Sequence, residues 1–326
     1  MKKTLVAIAA VVATTGAMAD VTIFGIVDQA FATTSSTTSG GVKTTTSAIT
    51  SAQYTGNELG FKGNEDLGNG MTADFQIHFG PTVDGSVQSS TSGAANYNST
   101  AATNYQSWVG LKGEFGSIRV GQFFSPSFFN NATYDTGGYS AFGFNAGAVN
   151  GTSAALLANT IEYNLPSLVQ GLTVSLSNSQ GETAGASTNN QNNVRLNFAT
   201  GGFSVGYAAA NINTSTTTST DQSSIGISYD MGVVKLAGYT TRSKLSSATT
   251  TDTGSVYGVS IPYDAFTVGL QSSKGTVSSV ETSGSLVQVK YALSKRTSLI
   301  FQQGMTDVSS SSVATAGTAL GLWHSF

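Results

Sequence analysis

The feature that most constrains this chain is an alternation of apolar and polar residues that returns in segment after segment. From Met71 to Phe79, for example, Ala, Phe, Ile and Phe share one parity, while Thr, Asp, Gln and His share the other. A period of two places these sets on opposite faces of a β-strand. In the segments that we assign as strands, no Asp, Glu, Lys or Arg falls on the apolar parity. Such a face fits hydrocarbon, where one Lys or Arg near the middle of the bilayer costs about 2 to 4 kcal/mol.

The connections between these segments predict a barrel with two different rims. Seven connections are short, and they lie around Gly68, Phe115, Ser167, Gly201, Met231, Tyr263 and Lys295. The others are expected to be long loops rich in Ser, Thr, Gly or Asn. Seven turns alternating with eight loops require about sixteen strands, an even number as in bacterial outer-membrane barrels. The predicted fold class is therefore all-β: a transmembrane antiparallel β-barrel, closed so that no strand edge stays unpaired in lipid.

The first residues indicate export. Two lysines precede an apolar run from Leu5 to Ala13, and Ala17-Met18-Ala19 supplies a small-residue cleavage site. The run is too short to span a membrane as a helix, and no later window has the roughly 18 apolar residues that a span needs. We predict a signal peptide over residues 1–19 and a barrel over residues 20–326.

The composition argues against several classes of protein. There is no cysteine, so disulfides and Cys-based metal sites are impossible. Charged residues make up 10% of the chain and the net charge is −3, which gives no indication of nucleic-acid binding. Asp74 and His78 share a strand face, but no Gly-x-Ser-x-Gly elbow accompanies them. We predict no enzymatic activity, catalytic residue, cofactor or metal site.

A long segment from about residue 123 to 158 exceeds what a hairpin connection needs. It is rich in Gly, Asn, Ser and aromatic residues, and long excursions of this kind are usually functional or disordered. We interpret it as a loop folded into the barrel. Its phenylalanines are expected to anchor it to the wall, and a sugar track is the alternative. These phenylalanines are Phe123, Phe124, Phe128, Phe129, Phe142 and Phe144.

Four stretches carry a family resemblance when they are taken together. They are Asp20-Val-Thr-Ile-Phe-Gly-Ile-Val-Asp28, the run from Leu59 to Gly70, Trp108-Val-Gly-Leu-Lys-Gly-Glu-Phe-Gly116, and Gly321-Leu-Trp-His-Ser-Phe326. The chain resembles the general porins of Gram-negative outer membranes, especially their beta-proteobacterial branch. The resemblance implies sixteen strands, an outer-membrane homotrimer, and passive diffusion of small hydrophilic solutes and ions through three pores. It also implies a third loop that narrows the pore, contact with outer-membrane lipid and lipopolysaccharide, and an assembly signal at Phe326.

The chain departs from the family pattern where relatives usually carry basic residues. Glu58, Gln122 and Glu162 stand at such positions, so the arginine wall that gives many relatives anion preference is largely missing. A kink near Gly121 must be assumed for Gln122 to reach the pore. The candidates for the pore constriction are Glu58, Lys62, Asp74, Arg119, Gln122, Asp135 and Glu162.

Ion selectivity depends on the charges at the narrowest section, because salt screens charges more than about 10 Å apart at 0.1 M. The three wall acids, Glu58, Asp74 and Glu162, lie mid-strand. The basic residues Lys62, Lys112 and Lys235 lie closer to the turns. We therefore predict weak selectivity or cation preference. A substrate-specific, sugar-type channel stays open as an alternative and would differ in the third loop. A secreted β-rich adhesin stays open more remotely, and it should carry charges on both strand faces.

Overall fold

The computed structural model describes residues 20–38, 40–81, 83, 103–138, 155–181, 190–309 and 313–326. These residues form seventeen strands and one helix, α1 (Pro126–Tyr134). The predicted signal peptide, Phe142 and Phe144 lie outside them. In the described part of the chain, no helix has the length and apolar composition of a membrane span. The strands are β1 (Asp20–Thr37), β2 (Lys43–Ser51), β3 (Glu58–Gly68), β4 (Met71–Gly80), β5 (Thr103–Gly113), β6 (Gly116–Phe124), β7 (Leu156–Asn164), β8 (Leu172–Ser179), β9 (Gln191–Thr200), β10 (Phe203–Asn213), β11 (Ser219–Asp230), β12 (Lys235–Leu245), β13 (Asp252–Tyr263), β14 (Phe266–Val277), β15 (Val280–Ala292), β16 (Thr297–Val308) and β17 (Val313–Ser325).

The strands form one antiparallel sheet that closes on itself. β1 pairs with β17 on one side, and with both β2 and β3 on the other. β2 and β3 therefore follow one another as two halves of a single wall strand, so the seventeen described strands fill sixteen positions around the barrel. The predicted fold class is confirmed. Closure leaves the sheet without a first or last strand. A membrane-spanning sheet must close in this way, because unpaired backbone N–H and C=O groups at a strand edge are costly in hydrocarbon.

The predicted parity of the wall is also confirmed. Val109, Ile225 and Leu320 are 60%, 55% and 57% exposed on the outer surface. Polar residues of the opposite parity, such as Asp28 and Asp74, face inward and are buried. The barrel thus has an apolar outer band and a polar interior.

The prediction of eight long loops at the other rim is wrong, although all seven short turns are present. β14 and β15 are joined by only Ser278 and Ser279, whose φ angles of 48° and 69° make a tight turn. Thr and Ser tolerate extended backbone, so the strands continue past the apolar band. Outward positions on these extensions carry charge, so the charge-free face is limited to the band. The charged residues concerned are Asp221, Arg242, Lys244, Lys274 and Glu281.

Replacing Leu270 by Lys is expected to lower the free energy of unfolding in lipid by about 2 to 4 kcal/mol, because the ammonium group would face hydrocarbon. Leu270 is 44% exposed on the outer face. Replacing Ser272 by Lys, at the next outward position toward Lys274, is expected to lower the free energy of unfolding by less. The penalty for a charged side chain falls from the middle of the bilayer toward the membrane–water interface. Urea titration of the barrel in lipid vesicles measures both variants. Equal costs would contradict this orientation of β14.

Candidate functional site

Helix α1 lies inside the barrel directly after β6. Its start is fixed by Ser125, whose Oγ accepts a hydrogen bond from the backbone N–H of Phe128 at 3.1 Å, as an N-cap residue does. Pro126 follows at the first helical turn, where its missing N–H costs nothing. α1 packs on the inner face of β9, β10, β11 and β12. The predicted inward fold of the loop is confirmed for residues 125–138, and residues 139–154 lie outside the described part of the chain.

Tyr134 anchors the end of α1 on two glycines, Gly206 and Gly226, which we call the glycine seat. The two glycines pair with each other across β10 and β11, and a Cβ at Gly226 would overlap the ring of Tyr134. Tyr134 is fully buried. Its hydroxyl accepts a hydrogen bond from Asn197 at 2.7 Å and lies 3.0 Å from Ser204 Oγ. The seat lets the helix approach the wall closely, which is a common role of glycine within strands.

The chain continues along the inner wall after the helix. Asp135 accepts hydrogen bonds from the backbone N–H of Gly137 at 2.8 Å and from Gln271 Nε2 at 3.2 Å. Thr136 lies against Gly258, where a Cβ would overlap its side chain. The described part of the loop therefore runs from β6 across the lumen to β13 and β14. Asp135 belongs to this loop as predicted, but the structure places it on the wall opposite the other acids.

Two of the predicted wall acids form ion pairs with basic residues. The carboxylate of Asp74 lies 2.5 Å from Lys112 Nζ. The carboxylate of Glu162 accepts hydrogen bonds from Arg119 Nη2 and Nε, each at 2.8 Å. Lys112 lies at the turn end of β5, as predicted, but its long side chain extends along the wall to Asp74, so the ammonium group is not separated from the acids.

The third acid, Glu58, contacts a histidine. His78 Nε2 lies 3.5 Å from the Glu58 carboxylate, and the imidazole ring packs against Phe24 and Tyr105 at centroid distances of 5.4 and 5.0 Å. His78 is buried. The ion pair of Asp74 with Lys112 and the contact of His78 with Glu58 leave no Asp74–His78 pair of the kind that a hydrolase would use.

A cavity of about 310 Å³ lies between α1 and the wall of β4 to β9. Both ion pairs line it, and so does Arg195, which donates a hydrogen bond to Thr133 Oγ1 at 3.3 Å. Among the described residues, Arg195 has no carboxylate within ion-pair distance. The cavity therefore presents both signs of charge and a polar wall to a solute. Its lining comprises Asp74, Trp108, Lys112, Ser117, Ile118, Arg119, Phe124, Pro126, Phe129, Glu162, Asn164, Ser175 and Arg195.

Four of the seven candidates, Glu58, Lys62, Gln122 and Asp135, do not line this cavity. Lys62 lies with its Nζ 5.3 Å from the ring of Phe24. Gln122 pairs with Ser107 of β5 and occupies a position with the parity of the outer face. The backbone is distorted at Gly121 as predicted, with a φ angle of 146°. Neither Arg195 nor the glycine seat is among the residues predicted from the sequence. Inward-parity glycines in the middle of strands were the available signal for the seat.

The phenylalanines of the loop pack against the wall and against each other. Phe123 is fully buried, and the Arg119 guanidinium lies 4.1 Å from the centroid of its ring. Phe124 stacks on Phe128 at 4.6 Å and meets Tyr105 edge to face. Phe129 is 39% exposed. These contacts are those expected of anchors, whereas an exposed row of rings would be needed for a sugar track.

Comparison with known sequences identifies a family. The Gram-negative porin family profile matches residues 6–311. The major outer membrane protein P.IB of Neisseria meningitidis serogroup B is 29% identical over 216 residues, which are 64% of this chain and 59% of that protein. The P.IB protein of Neisseria gonorrhoeae is 39% identical over 128 residues, 39% of this chain and 33% of that protein. The matches thus span less than two thirds of these relatives.

Comparison with solved structures finds the same fold at low sequence identity. The anion-selective porin from Comamonas acidovorans superposes with a TM-score of 0.76 at 22% identity, covering 94% of this chain and all of that chain. Salmonella typhi OmpF, in complex with daunomycin, gives a TM-score of 0.68 at 15% identity, covering 94% and 97%. At these identities the likeness supports the architecture alone.

Proposed function

The chain belongs to the Gram-negative porin family of the outer membrane, and we propose that it forms a water-filled channel for passive diffusion of small hydrophilic solutes and ions. The observation that carries the proposal is a closed barrel whose polar interior is narrowed by a loop docked on its own wall. Such a passage admits water and small solutes without a dedicated binding step. We include a homotrimer in the proposal, since this state is implied by the family resemblance.

We propose that the channel is weakly ion-selective. The pairs Asp74–Lys112 and Glu162–Arg119 neutralise the acids on which a cation preference would depend. Arg195 adds a positive charge beside them, and Glu58 adds a negative charge next to His78. Because opposite charges lie within a few ångströms of one another, the field at the narrowest section is small for either sign of ion.

Recording in planar bilayers tests the proposal. Purified protein is expected to give discrete conductance steps, in groups of three for a trimer, and a reversal potential near zero under a KCl gradient. Absence of conductance from a correctly folded barrel would refute the channel. A strongly ion-selective reversal potential would refute the weak selectivity alone. Block of the current by low concentrations of one sugar would favour a substrate-specific channel.

Removing one partner of the Glu162–Arg119 ion pair is expected to shift the ion selectivity, and the direction of the shift depends on which partner is removed. Glu162→Gln leaves Arg119 unpaired and should favour anions, whereas Arg119→Gln leaves Glu162 unpaired and should favour cations. A unit charge about 4 Å from an ion in water is worth about 1 kcal/mol, which is roughly a fivefold change in the permeability ratio. Reversal potentials under a KCl gradient measure both shifts.

The matched control is Glu281→Gln, which removes the same charge from the outward face of β15. Glu281 lies 3.9 Å from Lys274 in an exposed pair, so its loss should leave the reversal potential unchanged. Shifts of the same sign in Glu162→Gln and Arg119→Gln would show that the pair does not face the ion path.

A further inference from the structure

The second wall strand of the barrel contains an insertion that points into the lumen. Ser51 at the end of β2 pairs with Gln29, and Glu58 at the start of β3 pairs with Ile26. Two residues of β1 therefore face residues 52–57 of the neighbouring strand, which we call the inner bend. Ala52 begins the bend with φ at 58°. A strand can accommodate this excess only by leaving the plane of the sheet.

The carboxylate of Asp28 holds the inner bend in place. Asp28 Oδ2 accepts hydrogen bonds from the backbone N–H groups of Tyr54 at 2.6 Å and Thr55 at 2.7 Å. In return, the backbone N–H of Asp28 donates to Asn57 Oδ1 at 2.6 Å. Asp28 is 1% exposed. These bonds satisfy backbone groups that the interrupted ladder leaves without strand partners, so the bend is a built feature and not a fraying of the strand.

The contacts of the inner bend reach strands that are not its neighbours in the sheet. Thr55 Oγ1 accepts a hydrogen bond from Trp323 Nε1 on β17 at 3.0 Å. Gln53 Nε2 lies 3.5 Å from Gln302 Oε1 on β16. Gly56 lies against the hydroxyl of Tyr105 on β5, so closely that a Cβ would overlap it. Residues that touch β5, β16 and β17 at once must lie inside the barrel.

Tyr54 extends the inner bend to the loop that follows α1. Its ring lies 5.5 Å from Lys290 Nζ on β15, and Lys290 in turn lies 4.7 Å from the ring of Trp323. A Cβ at Gly138 would come within 2.8 Å of Tyr54 Cε2. The bend and the loop therefore meet in front of β15 to β17, on the side of the lumen away from the ion pairs.

We propose that the inner bend is a second constriction element, which fills the lumen in front of β15 to β17 and directs solutes past the ion pairs of Asp74 and Glu162. The inference rests on the proposed channel function, and it assigns part of the size limit to residues 52–57. Tyr54 is the side chain that sets the limit, while Asp28 and Trp323 are positioning residues that act through the bend.

The test compares Tyr54→Ala with Tyr263→Ala, the same change at an exposed position on the outer face. Tyr54→Ala removes the ring but none of the backbone bonds to Asp28, so the barrel is expected to fold. Its single-channel conductance should rise above that of the wild type, because removing the ring widens the part of the lumen that Tyr54 fills. Vesicles containing it should also admit larger saccharides in a swelling assay. Tyr263→Ala should match the wild type in both measurements.

A second variant separates the positioning role from the size limit. Trp323→Phe removes the hydrogen bond to Thr55 and keeps most of the ring, so it should increase current noise with little change in mean conductance. An unchanged conductance and saccharide limit in Tyr54→Ala would overturn the inference, and the channel function would stand. Absence of conductance from the wild-type barrel would instead refute the channel function itself.

Discussion

Replacing Gly226 by Ala is expected to lower the single-channel conductance and to make the current noisier. The added Cβ would overlap the ring of Tyr134, which is fully buried and cannot slide along the wall. Backbone surrounds the glycine in the strand, so the ring and α1 must move toward the axis of the barrel. Overpacking of this kind costs about 1 to 3 kcal/mol, and it also weakens the hydrogen bonds of Tyr134 to Asn197 and Ser204.

The control for this prediction is Gly269→Ala, the same change on the inner face of β14. The nearest atoms to a Cβ at Gly269 are Gln288 Cβ and the Thr136 carbonyl oxygen, both at 3.7 Å. That is ordinary contact distance, so Gly269→Ala should conduct like the wild type. Comparing Gly226→Ala with Gly269→Ala separates the effect of steric overlap from the general effect of losing a glycine in a strand.

A double-mutant cycle gives the decisive result. In a Tyr134→Ala background the overlap with residue 226 no longer exists, so adding Gly226→Ala should change conductance very little. Residues in direct contact are non-additive in this way, whereas independent sites add. If Gly226→Ala lowers conductance equally with and without Tyr134, the glycine seat does not hold the loop.

The parts of the fold that follow from local pattern could be predicted from the sequence. Alternation determines which face of each strand points outward, because a shift of one residue would turn every side chain over. The short turns were also predictable, since Gly and Asn mark them. The two-residue connection at Ser278 and Ser279 was not predicted, because Ser-rich sequence suits both a loop and a solvated strand.

The site was less predictable because it depends on how far side chains reach and on contacts between distant segments. The sequence places Lys112 and Asp74 on inward faces, but only the register of β4 and β5 shows that they meet. The inner bend is a stronger case. Nothing in residues 52–57 distinguishes them from a loop, and their position depends on bonds to Asp28, Gln302 and Trp323, which lie far away in the chain.

Closure of the barrel leads to the second prediction, that Gly25→Ala lowers the yield and the thermal stability of folded barrel. The backbone N–H of Gly25 donates to the Phe326 carbonyl at 3.2 Å, and the backbone N–H of Phe326 donates to the Gly25 carbonyl at 3.1 Å. A Cβ at Gly25 would overlap the Phe326 ring and would lie 2.5 Å from the Glu58 carbonyl oxygen. The oxygen belongs to a paired strand, so relief requires β1 to separate from β3 or from the end of the chain.

The expected cost of Gly25→Ala is about 1 to 3 kcal/mol of overpacking, and occasionally more. Samples are heated to increasing temperatures below boiling and then run on a gel. The folded and unfolded barrels migrate differently, so the gel measures the fraction that stays folded at each temperature. Gly40→Ala is the control, because among the described residues the only atom within 4 Å of its Cβ is Thr38 Oγ1, at 3.9 Å. Adding Phe326→Ala to Gly25→Ala should restore only part of the stability, because the clash with the Glu58 carbonyl persists. Full restoration would mean that the terminal ring, and not the backbone of β3, limits how closely the sheet can close at this position.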